Sequence, residues 1–140
     1  MEITVGFFKS LFGGKQADTP SEIIEDIKQI QINDFNRLIK ILEIADEESF
    51  ASARDTLGKF QNAFTTKFKT TKNFRSSPND VRREYMSTLS SVLTRMNDMN
   101  MSSQALGVSI FTIIMYAIEM GDDELHDEID EKLLKLFNTR

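Results

Sequence analysis

Residues 104–120 form an apolar run that no surface helix can carry. Leu106, Val108, Ile110, Phe111, Ile113, Ile114, Met115, Ala117 and Ile118 fall on every side of a helical wheel. A helix that is apolar all round has to be covered on all faces. The run is shorter than the ~20 residues that span a bilayer, and Ser109 and Thr112 interrupt it. We therefore expect it at the centre of a domain, ringed by other helices and stopped by Gly121. The expected fold class is all-α: an irregular bundle of five to six helices with the fifth, about 104–120, buried.

The rest of the chain supplies the ring. Thr19-Pro20-Ser21-Glu22 reads as a helix start, with Thr19 as cap and Pro20 at the first helical position. Ile23, Ile24, Ile27 and Ile30 then line one face. Asn33-Asp34 looks like a second start, with Phe35, Leu38, Ile39 and Leu42 as its stripe. One bent helix through both is the alternative. Asp46 is placed to cap a third helix. Phe50, Ala53, Leu57, Phe60, Phe64 and Phe68 follow in a heptad-like seam, too short for a free coiled coil and suited to facing a core.

Residues 70–77 are polar and lack helical periodicity, so they read as a loop, with Phe74 as an exposed aromatic. Ser77-Pro78-Asn79-Asp80 repeats the earlier start logic and opens a fourth helix along Val81, Tyr85, Leu89, Val92, Met96 and Met99. Ser102 or Ser103 caps the central helix. Asp122 or Asp123 caps a sixth, with Leu125, Ile129, Leu133, Leu136 and Phe137 as its stripe. No alternating pattern of strand type appears. The domain reading is one helical unit over 19–140, preceded at 1–18 by a short amphipathic segment (Phe7, Phe8, Leu11, Phe12) and a linker.

Charge is sorted along the chain. Residues 119–131 hold eight acids and no Lys or Arg, a net of −8, whereas the whole chain carries only −5. Residues 59–83 hold seven bases against Asp80. Such segregation sets the sign of local fields and so selects partners. The acidic run is helical rather than a disordered tail, because Leu125, Ile129, Leu133 and Leu136 pass through it at helical spacing. Part of its asymmetry matches the helix dipole, with acids early and Lys132, Lys135 and Arg140 late.

The chemistry of catalysis is sparse. There is no cysteine, which removes disulfides and thiolate metal sites and fits a reducing compartment. His126 is the single histidine, adjacent to Leu125 at the edge of a packed stripe. Asp123-x-x-His126 has a di-iron spacing but lacks the second pair that such sites need. The run from Asp122 is no EF-hand loop, since Asp127 stands where that loop needs glycine. No metal site and no cofactor are expected. Glu22-x-x-Glu25, Glu124-x-x-Asp127 and Glu128-x-x-Glu131 resemble the carboxylate pairs with which all-helical nucleotide pyrophosphohydrolases hold Mg²⁺. The first pair is remote in sequence from the others, unlike the compact arrangement of that family, and no Lys/Arg/Asn signature accompanies it. That resemblance makes a Mg²⁺-dependent hydrolase the alternative from the enzyme class.

The basic stretch interleaves Lys67, Lys69, Lys72 and Arg75 with Phe64, Phe68 and Phe74, as single-strand binders do. The seam claims Phe64 and Phe68, and the chain is acidic overall, so no stable nucleic-acid binding is expected. A nucleic-acid or membrane-surface adaptor, using this stretch or the Phe-rich opening, is a third reading. No transmembrane segment and no secretory signal are read, and the expected location is the cytoplasm.

The leading expectation is a non-enzymatic binding protein. Glu119, Asp122, Asp123, Glu124, Asp127, Glu128 and Glu131 would form a docking face for a basic protein partner, such as a toxin nuclease neutralised by an immunity-type inhibitor. Carboxylates on a rigid helix speed encounter with a basic surface, and neighbouring apolar anchors supply affinity. The acidic and basic faces also admit pairing between two copies of the chain.

Overall fold

The structure, a computed structural model, describes residues 20–140, with side chains from Gln31 onward. The expected segment 1–18, the Thr19 cap and the side chains of Ile23, Ile24, Ile27 and Ile30 lie outside the described residues. Six helices follow in order: α1 (Pro20–Ile44), α2 (Glu47–Phe68), α3 (Thr71–Ser76), α4 (Asn79–Asp98), α5 (Ser102–Met120) and α6 (Asp123–Thr139). No strand occurs among the described residues. The fold is all-α.

The apolar run is α5, and it touches each of the other five helices, α2 most extensively. Every residue from Ala105 to Met115 is buried, as are Ala117 and Ile118. By length and composition α5 could cross a membrane, but here most of its surface is covered by the surrounding helices. Its two buried polar residues need no outside partner. The Ser109 hydroxyl donates to the Ala105 carbonyl at 2.7 Å, and Thr112 donates to Val108 at 2.8 Å. Each hydroxyl is thus satisfied one turn back along the same helix. Gly121 ends α5 in the left-handed conformation at φ 70°, where a side chain would be strained.

The ring follows the expected stripes with several corrections. Asn33-Asp34 starts no second helix, since α1 runs unbroken from Pro20 to Ile44. Asp46 caps α2 as expected, accepting from the Ser49 N–H at 2.7 Å. In α4 the deeply buried positions are Met86, Leu89 and Leu93, while Met99 is 62% exposed. The expected stripe sat about one residue to the side of the buried one. Neither serine of the α5 start caps it: the cap position is Met101, with no side-chain bond. Ser77 likewise does not cap α4. Its hydroxyl donates to the Asn73 carbonyl at 2.9 Å instead.

The largest correction concerns residues 70–77. They form the short helix α3, capped by the Thr70 hydroxyl, which accepts from the Asn73 N–H at 3.0 Å. Phe74 is 0% exposed, not an exposed aromatic. Its ring meets Phe68 edge-on at 4.9 Å between centroids, Phe64 at 5.6 Å and Tyr85 at 5.8 Å. One and a half turns are too few to show a period, so a single apolar residue carries the packing. Burial in this cluster pushes the Tyr85 phenol up to about 12. The chain enters α3 through Lys69, at φ 72°, in a γ-turn that Thr70 closes by donating to the Phe68 carbonyl at 2.9 Å.

Candidate functional site

The rotation of α6 decides what its acids face. Leu125, Ile129, Leu133 and Leu136 are buried and hold one side of the helix against the core. Asp122 begins it, accepting from the Leu125 N–H at 3.0 Å, so that carboxylate is engaged as a cap. At 3.6 residues per turn, the other acids fall into three groups around the exposed arc.

On the flank toward α2 and α3, Asp123 and Asp130 are paired. Asp123 meets Arg75 of α3 at 3.2 Å, which joins the acidic and basic stretches of the sequence within one molecule. Arg82 extends that link by donating to the carbonyls of Arg75, at 2.8 Å, and Ser77, and to the Asn79 side chain. Asp130 meets His126 at 3.3 Å. Burial holds the Asp130 carboxyl above its ordinary value, His126 opposes this, and the Asp127 charge adds to it. The pair lines a cleft of about 290 Å³ with Thr65 of α2 and Lys69 just beyond it, floored by Phe111, Ile114, Met115 and Ile118 of α5.

On the flank toward α1, Glu128 meets Lys132 at 3.2 Å. Between the flanks, Glu124, Asp127 and Glu131 are exposed and make no ion pair among the described residues. Glu119 stands apart at the end of α5. It lines a cleft of about 440 Å³ against α4, opposite Arg83, with Met86, Ser87, Ser90 and Tyr116. Burial, and then the Glu119 charge, raise the Tyr116 phenol well above its ordinary value. The seven residues expected to form one face thus divide. Asp122 caps, Asp123 and Glu128 are paired, Glu119 opens into a cleft, and Glu124, Asp127 and Glu131 face outward.

Glu22-x-x-Glu25 lies outside the described side chains. Glu124-x-x-Asp127 and Glu128-x-x-Glu131 project from one exposed helix, and no second described helix brings carboxylates to meet them. Among the described residues no group of three or more His, Asp or Glu side chains is placed to hold a metal ion.

Sequence reasoning missed a second charged site. Lys40 of α1 joins Lys132, Lys135 and Arg140 along a cleft of about 620 Å³ between α1 and α6, with Glu43 as the one acid in its lining. The three later cations are visible in the sequence as dipole matching at the end of a helix. Nothing in the sequence brings Lys40 to them, because that requires knowing that α1 lies beside α6.

Comparison of the chain with family models, curated proteins and solved structures finds no match.

Proposed function

We propose that the protein is a non-enzymatic binding module whose α6 docks a basic protein partner, in the manner of an immunity-type inhibitor covering the basic cleft of a toxin nuclease. The observation that carries this reading is the set of outward carboxylates, Glu124, Asp127 and Glu131, which make no ion pair among the described residues and stand on a helix whose opposite side is locked into the core. Four buried aliphatic side chains fix that helix, so the charges are presented at set spacing with little ordering cost. Such an array raises the encounter rate with a cationic surface and fixes its register. Apolar anchorage is available next to it. Glu119 belongs to both the acidic run and the α4–α5 cleft, where Met86 and Tyr116 offer a less polar seat for a partner side chain. Asp122 and Asp123 contribute by fixing the start of α6 rather than by touching the partner.

The test is a parallel capture from the cell that makes this chain, using the native protein and the triple reversal Glu124→Lys, Asp127→Lys, Glu131→Lys. A basic protein retained by the first and absent from the second supports the reading. Equal retention by both removes α6 as the docking surface. Retention of an acidic partner removes the electrostatic argument.

A further inference from the structure

The cleft between α1 and α6 runs against the charge of the whole molecule. The chain carries −5, yet four cations line this cleft against one acid, Glu43. They come from two helices far apart in sequence, so local composition does not account for their meeting. One of them also closes the end of the neighbouring helix. Arg140 donates to the carbonyls of Leu42 and, at 2.7 Å, Ala45, which satisfies the exposed end of α1, and its guanidinium sits 4.3 Å from the Phe50 ring centre. Those hydrogen-bond partners are neutral and hold Arg140 in place, with the Asp46 carboxylate near enough to feel its charge. Lys132 is shared between Glu128 at 3.2 Å and the Asn36 side chain at 3.4 Å. Lys40 and Lys135 are exposed, reach no helix-end carbonyl, and make no ion pair among the described residues. They stand on opposite walls of the cleft.

A cleft of this size lies within the range of small-ligand sites, roughly 300–1,000 Å³. Its lining combines two ammonium groups that make no ion pair among the described residues, one oriented guanidinium and an apolar floor of Ile39 and Leu136. With Glu43 in the lining and Glu128 on Lys132 both counted, the four cations still exceed the acids by two, which favours a doubly charged anion. Ammonium groups act on phosphate as point charges, and a guanidinium adds directed donors.

We propose that the α1–α6 cleft binds a compact phosphate group of charge −2 or more, with Lys40 and Lys135 as its direct ligands and Arg140 as the oriented cation behind them. The site adjoins the docking face without sharing its carboxylates: Lys135 stands one turn beyond Glu131 on the same side of α6, and the facing wall is α1. The source of the phosphate is a soluble phosphate compound or a phosphomonoester headgroup on a membrane, and the chemistry of recognition is the same.

Titration calorimetry with inorganic pyrophosphate at low salt tests it, on the native chain, on Lys40→Gln/Lys135→Gln, and on a control, Lys67→Gln/Lys72→Gln. Both lysine pairs are exposed, and thermal melts establish that each variant folds. Saturable binding that weakens about tenfold or more in the cleft variant and is unchanged in the control supports the site. Sedimentation with vesicles containing phosphatidic acid identifies the source. Retention that the cleft variant loses, and that pyrophosphate competes away, supports the proposal with a headgroup as ligand. Pyrophosphate binding without retention supports it with a soluble ligand. Absence of saturable binding in both arms, or equal loss in the control variant, overturns it.

Discussion

A β-carbon on Gly107 would stand 2.5 Å from the carbonyl oxygen of Ala53. It would also lie 3.1 Å from the Leu57 nitrogen and 3.1 Å from the Thr56 β-carbon. This is backbone against backbone, and it explains why α2 is the neighbour that α5 touches most. Gly107→Ala gains about 1 kcal/mol of helix propensity. The opposing cost is a clash with a carbonyl that cannot swing aside as a side chain can. We expect net destabilisation of about 1–3 kcal/mol, the range for overpacked cores. Urea denaturation measures it, and an unchanged or raised midpoint contradicts the close approach.

Phe74 anchors the short helix α3 to the body of the domain. Its ring is wholly buried among Phe64, Phe68 and Tyr85. Phe74→Ala is expected to cost about 3–5 kcal/mol, as for other buried aromatics cut to alanine. A loss below about 1 kcal/mol would return residues 70–77 to the exposed loop that their composition suggests.

Gln31 is 0% exposed, and among the described residues neither its amide nitrogen nor its amide oxygen has a hydrogen-bond partner. An unpaired buried polar group costs about 1–3 kcal/mol. Gln31→Leu, similar in volume and apolar, is therefore expected to stabilise the fold by an amount in that range. Thermal and chemical denaturation check the sign. A destabilised variant would mean that the amide is satisfied after all.

Asp46 links the start of α2 to pH. The hydrogen bonds from Ser49 hold its carboxyl below the ordinary value, with Arg140 a smaller influence. A carboxyl lowered by folding stabilises the native state above its unfolded value, and that contribution fades as pH falls through the lower native value. Asp46→Asn keeps a capping oxygen but does not titrate. The stability advantage of the native chain over this variant should be full at neutral pH and shrink below about pH 4. An advantage that stays constant down to pH 2 contradicts the assignment.

What the sequence makes legible follows periodicity. The α5 run has no polar face, so its central place follows from burial alone. The α2 seam and the α6 stripe repeat over several turns, and a repeat survives an error at one position. Asp46, Asp122 and Gly121 announce helix ends because their chemistry is local. By contrast, α3 is too short to have a period, and the Gly107–Ala53 contact is invisible because a glycine inside an apolar helix has no pattern. The acidic run was legible as a set, but its division was not. Which carboxylate meets Arg75, His126 or Lys132 depends on the rotation of α6 against its neighbours. The meeting of Lys40 with Lys135 depends on helix adjacency in the same way.

The central claim is that α6 recruits a basic partner through its outward carboxylates. The most direct measurement is the association rate constant of the captured partner, over a series of salt concentrations, for the native chain and for the Glu124→Lys, Asp127→Lys, Glu131→Lys variant. Steered association at low salt exceeds the unsteered rate by roughly 10-fold or more and falls steeply as salt rises. The account predicts that behaviour for the native chain, and for the variant a slow rate that does not fall as salt rises. Equal rates for the two proteins, with the same salt dependence, would contradict it.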